Sequence, residues 1–308
     1  MKFWLDKPYH SLDYDMKAAF GEKLYRITLN AGLTCPNRDG TLDYRGCLFC
    51  SPKGSGDFAG DEGLSIAEQL AAGKLSLAHK RGVNSYIAYF QAFTNTYGNV
   101  ATLESLYLEA IEDEQVKVLS IATRPDCLED DILTLLERMN HIKPVWIELG
   151  LQTIHETTAQ YIRRGYSLPL FEEKVRALQG LGIPVIVHVI LGLPGETQAM
   201  MLETIDALNQ LQVDGVKLSL LHVLRDTDLA AEYEQNPFWI PTLEEYLELL
   251  GKCILRLDPN ITIHRLTGDG PKDLLIAPLW TTAKRTVLNE LHRYLKTNHI
   301  WQGKEYHE

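Results

Sequence analysis

The chain is predicted to fold as an α/β protein, a partial (β/α)6 TIM-type barrel of parallel strands. An N-terminal segment precedes the barrel and a C-terminal helical extension follows it. Three observations carry this reading. Six short runs rich in β-branched and aromatic residues alternate with stretches of helical periodicity, the pattern of successive βαβ units. Their number falls short of the eight units that close a full barrel. The chain has 308 residues, 45% of them hydrophobic, enough to bury one large core, yet no stretch approaches the roughly 20 apolar residues that span a bilayer.

The elements follow in order. Residues 1–24 form a segment that packs on the barrel, and Tyr25–Leu29 reads as the first strand, leading directly into a loop with three cysteines. Ser65-Ile66-Ala67-Glu68 is a capping box that opens a helix reaching about His79, because a serine at the N-cap and a glutamate three residues on satisfy each other's amides. Five further strands are expected at Ser85–Phe90, Val116–Ala122, Val145–Gly150, Pro184–Leu191 and Gly215–Leu220, with helices between them. The barrel therefore spans 25–221. After Leu221 the rhythm stops, and residues 222–308 read as the extension. Pro241-Thr242-Leu243-Glu244-Glu245 caps a helix to about Leu257, a short strand follows at Ile261–Leu266, and Thr267-Gly268-Asp269-Gly270-Pro271 forms a turn before a basic helix.

Net charge is −11, so the chain as a whole is not built to hold polyanions. The basic helix is the exception. Lys284, Arg285, His292, Arg293, Lys296, His299 and Lys304 face only Glu290 as a counter-charge in that span. Such a segment is either a local nucleic-acid footprint or a solvated helix face. Met1-Lys2-Phe3-Trp4-Leu5-Asp6-Lys7 lacks the apolar region of a secretion signal. A cytoplasmic location and no membrane association are expected, and in a reducing compartment cysteines read as metal or redox ligands rather than disulfides.

Cys35, Cys47 and Cys50 lie in Cys-Pro-Asn-Arg-Asp-Gly-Thr-Leu-Asp-Tyr-Arg-Gly-Cys-Leu-Phe-Cys. Structural zinc sites and complete iron–sulfur sites close with four protein ligands. Three thiolates leave one metal position for an exchangeable group. In a parallel barrel, reactive residues gather at the C-terminal strand ends. There the sequence places Gln91-Ala92-Phe93-Thr94-Asn95-Thr96, Thr123-Arg124-Pro125-Asp126-Cys127, Glu148-Leu149-Gly150-Leu151-Gln152, His188 with Ile190, and Ser219 to His222. Buried polar groups need partners, and one polar ligand would satisfy many of them.

The strand, the three-cysteine loop ending Cys-x-aromatic-Cys and the six-unit barrel resemble the radical S-adenosylmethionine (SAM) superfamily. The long first cysteine spacing, Thr123-Arg124-Pro125-Asp126 and Glu148-Leu149-Gly150-Leu151-Gln152 are similar to the branch containing the elongator catalytic subunit. Leu266-Thr267-Gly268-Asp269-Gly270-Pro271-Lys272-Asp273-Leu274-Leu275 is similar to the ending of the YhcC/YtqA-like family. The resemblance implies a [4Fe–4S] cluster on Cys35, Cys47 and Cys50, with SAM on the fourth iron and a 5′-deoxyadenosyl radical as its cleavage product. It implies Phe49 beside the adenine, and Gln91, Thr94 and Asn95 at the methionine amino group, although no Gly-Gly-Glu stands there. Glu148 and Gln152 match ribose and methionine contacts, Arg164 the SAM carboxylate, and His188 and Ile190 the ribose and adenine. An electron donor such as flavodoxin or ferredoxin is implied as a partner.

Cys127 is outside that set. It reads as a second redox participant or hydrogen donor, or as a small buried hydrophobe. Cys253 sits in a helical pattern and reads as core. The expected function is a radical SAM enzyme that modifies tRNA at C5 of the wobble uridine, with tRNA bound by the basic helix. The alternatives are the same chemistry on a small metabolite, and a non-enzymatic zinc-binding module.

Overall fold

The computed structural model describes residues 2–80, 82–268 and 270–307. Strands and helices alternate from α1 (Leu12–Phe20) and β1 (Tyr25–Leu29) through α2 (Ile66–Leu77), β2 (Tyr86–Phe90), α3 (Val100–Ile111), β3 (Val116–Thr123), α4 (Asp130–Ile142) and β4 (Val145–Gln152). Next come α5 (Glu156–Tyr161), α6 (Leu168–Gly180), β5 (Val185–Leu191), α7 (Gln198–Leu211) and β6 (Gly215–Leu220). The remainder comprises β7 (Val223–Leu224), α8 (Asp228–Gln235), α9 (Leu243–Arg256), β8 (Thr262–Arg265), β9 (Leu275–Ala277) and α10 (Lys284–Thr297).

The main sheet has seven parallel strands in the order β1-β2-β3-β4-β5-β6-β8. This is one more than the six expected. The short strand read as part of the extension pairs in parallel with β6, Gly215 against Thr262, with α8 and α9 as its crossover. Chain 10–11 covers the outer edge of β8, where the Ile263 amide donates to the His10 carbonyl at 2.7 Å. Gln302, fully buried, ties both ends together: its side chain accepts from the His10 amide and donates to the Asp258 and Ile261 carbonyls. The capping boxes at Ser65 and Thr242 both form.

Helices cover the outer face of the sheet, whose outward residues make the main core. The inner face is layered, because alternate residues of a strand share a face. At the N-terminal end, Leu24, Ile87, Val118, Trp146 and Ile186 pack with Met16 of α1 as an apolar plug. Two residues further along, the same face turns polar: Arg26, Tyr89, Ser120, Glu148 and His188, joined by Lys217. Two further still, Thr28, Gln91, Ala122, Gly150, Ile190 and Ser219 line an open cavity. The sheet curls enough for Lys217 on β6 to reach Tyr89 on β2 at 3.3 Å and for Arg26 on β1 to reach Glu148 on β4 at 3.4 Å.

On α10, Val287, Leu291 and Leu295 face the core. His292 is half-buried and meets the Tyr9 hydroxyl at 3.3 Å, Arg293 pairs with Glu290, and Lys304 donates to the His299 carbonyl. The basic face is thus narrower than the sequence count, with Lys284, Arg285 and Lys296 exposed.

Candidate active site

β1 runs straight into the cysteine loop, and the loop is folded on its own hydrogen bonds. The Arg38 amide donates to the Cys35 carbonyl, Gly46 to Asn37 and Cys50 to Cys47. Arg38 staples the far side, its guanidinium donating to the carbonyls of Cys50 and Ser51 at 3.0 and 2.7 Å. Gly46 holds a φ of +79°, and a Cβ there would meet the Arg38 guanidinium at 2.8 Å, so this close approach requires glycine.

The three thiols are free and half-buried, and all three face one cavity of about 730 Å³ together with Phe49. Cys47 is drawn down to about 6 by a hydrogen bond from Cys50, with the Arg124 and Arg38 guanidiniums adding to the pull. Cations beside the sulfurs favour thiolate, the form that ligates metal. Among the described residues no three His, Cys, Asp or Glu side chains converge to hold a single ion. Three thiols facing one cavity beside cationic side chains suit a [4Fe–4S] cluster, which Cys35, Cys47 and Cys50 would hold.

Beneath the cavity, Glu148 is out of solvent. One carboxylate oxygen accepts from Ser120 at 2.8 Å and lies near Arg26, and the other accepts from His188 at 2.7 Å and from Lys217. Burial opposes its charge, but Lys217, Arg26 and His188 outweigh this and hold the carboxyl well below the usual range. His188 behaves oppositely. Burial and the nearby Lys217 charge push it down to about 4, against the pull of Glu148. It is a neutral imidazole near pH 7, with Nε2–H committed to Glu148 and Nδ1 left as an acceptor.

The other expected residues divide. Phe49 and Ile190 share an apolar cluster with Leu48, Ile162 and Leu193 at the cavity wall. Gln91 lines the cavity and donates to the Ser55 carbonyl at 2.7 Å, and Thr94 lies beside it. Gln152 is turned into the cavity by a register shift in β4 and a φ of +66°, the re-aiming that bulges provide. Glu148 lines the floor, but its oxygens are already shared among four side chains, so it holds His188 and Lys217 rather than offering itself to a ligand.

Three further expected residues are committed elsewhere. Asn95 is fully buried away from the cavity wall, donating to the Ala122 carbonyl at 3.0 Å. Arg164 lines the cavity but spends its guanidinium on protein: Nε donates to Tyr166 O, Nη1 to Leu151 O and Thr153 O, and Nη2 to Glu156. It clamps the turn after β4 and presents no open fork to a carboxylate. Cys127 is buried beside Asp126, outside the cavity lining, and burial pushes its thiol up to about 12, unsuited to a reactive position.

Arg124 stood in a strand-end run without a role of its own, and Tyr166, Tyr89, Arg26 and Lys217 were not read as site residues at all. Arg124 pairs bidentately with Asp126 at 2.9 and 2.7 Å, stacks on Tyr166 and lines the cavity. The signal for Tyr89, Arg26 and Lys217 was the two-residue period that puts them on the face of Glu148 and His188.

A family model for the radical SAM superfamily matches residues 35–208, more than half of the chain. The chain belongs to the radical SAM superfamily. A model of the radical SAM C-terminal domain matches residues 213–297. YtqA of Bacillus subtilis is 40% identical over 299 residues, covering 97% of this chain and 93% of the relative. A tRNA uridine(34) acetyltransferase of Methanocaldococcus jannaschii is 23% identical over 202 residues, 64% of this chain and 36% of the relative. Among solved structures, the archaeal Methanocaldococcus infernus Elp3 shares the fold with a TM-score of 0.70 at 15% identity, over 91% of this chain and 64% of that one. As a radical SAM enzyme the chain works with a [4Fe–4S] cluster and SAM. No helix among the described residues is long and apolar enough to cross a membrane.

Proposed function

We propose that Cys35, Cys47 and Cys50 hold the cluster, and that the enzyme modifies tRNA at C5 of the wobble uridine. When bound, the reduced cluster supplies the electron that cleaves SAM to methionine and a 5′-deoxyadenosyl radical. The chain's own residues do the rest. Phe49 and Ile190 offer an apolar slot for a flat ring. Gln152 and the His188 Nδ1 meet ribose hydroxyls, Gln91 and Thr94 the amino group. Arg124 receives the carboxylate in place of Arg164, since a guanidinium keeps donors for a second anion after one bidentate pair. The electron comes from a one-electron carrier of the flavodoxin or ferredoxin kind.

The observation that carries the tRNA reading is where the basic helix begins. Lys284, the first residue of α10, lines the cavity itself, and Lys272 lines the same rim. A phosphate backbone lying along α10 thereby runs past the cavity mouth, and cationic side chains supply most of such affinity. The tRNA uridine on which the Methanocaldococcus jannaschii relative is named to act supports the same substrate. Mass spectrometry of tRNA nucleosides from cells lacking the gene tests it: a C5-substituted wobble uridine is lost. An unchanged nucleoside profile contradicts it in favour of a small metabolite.

A further inference from the structure

Asn37 sits in the Cys-Pro-Asn-Arg stretch of the loop and is 2% exposed. Its side-chain Nδ2 donates to the Arg163 carbonyl at 2.8 Å and to the Cys47 sulfur at 3.4 Å. The amide cannot be turned round. A carbonyl only accepts, so nitrogen must face Arg163, while the oxygen end abuts Gly165, where an added Cβ would lie 2.9 Å from Asn37 Oδ1. With one N–H fixed on Arg163, the planar NH2 group has its second proton for Cys47.

We propose that Asn37 sets the reduction potential of the cluster through this N–H···S hydrogen bond, a role that rests on Cys47 being a cluster ligand. An electron added to an iron–sulfur cluster raises the negative charge on its thiolate sulfurs. A donor aimed at one of them therefore stabilises the reduced state more than the oxidised state, and hydrogen bonds to sulfur are among the factors that fix such potentials. The Arg38 and Arg124 guanidiniums also act on Cys47, but they belong to other side chains and remain when the amide is replaced. Asn37 is a positioning residue for the electron, since it touches a ligand and not SAM. The competing role is purely mechanical, a clasp holding the cysteine loop to residue 163.

The two roles separate in a redox titration of the anaerobically reconstituted full chain, followed by the electron paramagnetic resonance signal of the reduced cluster without SAM. The variants are Asn37→Leu, which keeps the volume and removes the donor, and Asn37→Asp, which replaces the donor with an acceptor of the same size. The expected result is four irons per chain with a midpoint displaced to more negative values in Asn37→Leu, and further in Asn37→Asp. A variant that keeps four irons with an unchanged midpoint overturns the proposal. So does loss of iron from both variants, which makes Asn37 a clasp. Failure of the ligand assignment looks different, because the parent chain itself would then lack the cluster.

Discussion

Glu148 and Lys217 face each other across the barrel lumen as an ion pair withdrawn from water, one on β4 and the other on β6. The pair joins strands whose side chains would otherwise meet only through the cavity contents. Ser120, His188, Arg26 and Tyr89 fasten to it from four other strands. The floor of the site is therefore a rigid polar layer between an apolar plug and the open cavity.

Replacing Glu148 by Gln strips Lys217 and Arg26 of their shared counter-charge inside the lumen. Removing one partner of a buried pair costs about 3–5 kcal/mol, more than the pair itself contributes. Denaturant unfolding of Glu148→Gln is expected to show a loss of that order. The double variant with Lys217→Met should recover part of it, since the orphaned charge is gone. Independent, additive losses would mean that the two groups are not coupled.

His188 gives the fold an acid-sensitive element. Its folded pKa, pushed down to about 4, lies below the unfolded value of about 6.5. The unfolded chain therefore binds the proton first as pH falls. The contribution of His188 is fully present above pH ~6.5 and is lost as pH drops toward ~4. Urea midpoints measured across this window should fall more steeply for the parent chain than for His188→Gln. Parallel curves would mean that the imidazole is not held neutral.

Arg124 and Arg164 are expected to behave as opposites although both line the cavity. Arg124→Lys keeps a cation but loses the planar donor set, so SAM binding by calorimetry should weaken about tenfold or more while four irons remain, a change of ~1.4 kcal/mol or greater. Arg164→Lys loses the donors that fasten the turn after β4, and its main effect should be a lower melting temperature. The reverse pattern would restore Arg164 as the carboxylate partner.

The sequence made some layers of this site legible and hid others. The cysteine loop and strand ends were readable because loops after parallel strands carry chemistry, and the six strand runs set the direction of the sheet. The strand at Ile261–Leu266 was expected, but its place in the main sheet was not, because β8 has only four residues and lies beyond two helices that break the rhythm. Arg164 and Arg124 could not be told apart from sequence, since what separates them is which carbonyls and carboxylates already occupy their donors. Cys127 shows the same limit. It ends a run that reaches the cavity at Thr123 and Arg124, yet the short helical turn from Pro125 to Cys127 carries its thiol away from the lumen. Asn37 was invisible as more than a loop residue, because its partner Arg163 is 126 positions away.

In the proposed site three cysteines hold a cluster with one iron left for SAM. Anaerobic reconstitution of the parent chain and of Cys35→Ala, Cys47→Ala and Cys50→Ala, followed by reduction with SAM present, tests it most directly. The parent should bind about four irons and four sulfides and release 5′-deoxyadenosine, and each variant should lose both properties. A colourless parent with one zinc and no sulfide, or a brown parent that never forms 5′-deoxyadenosine, would contradict it.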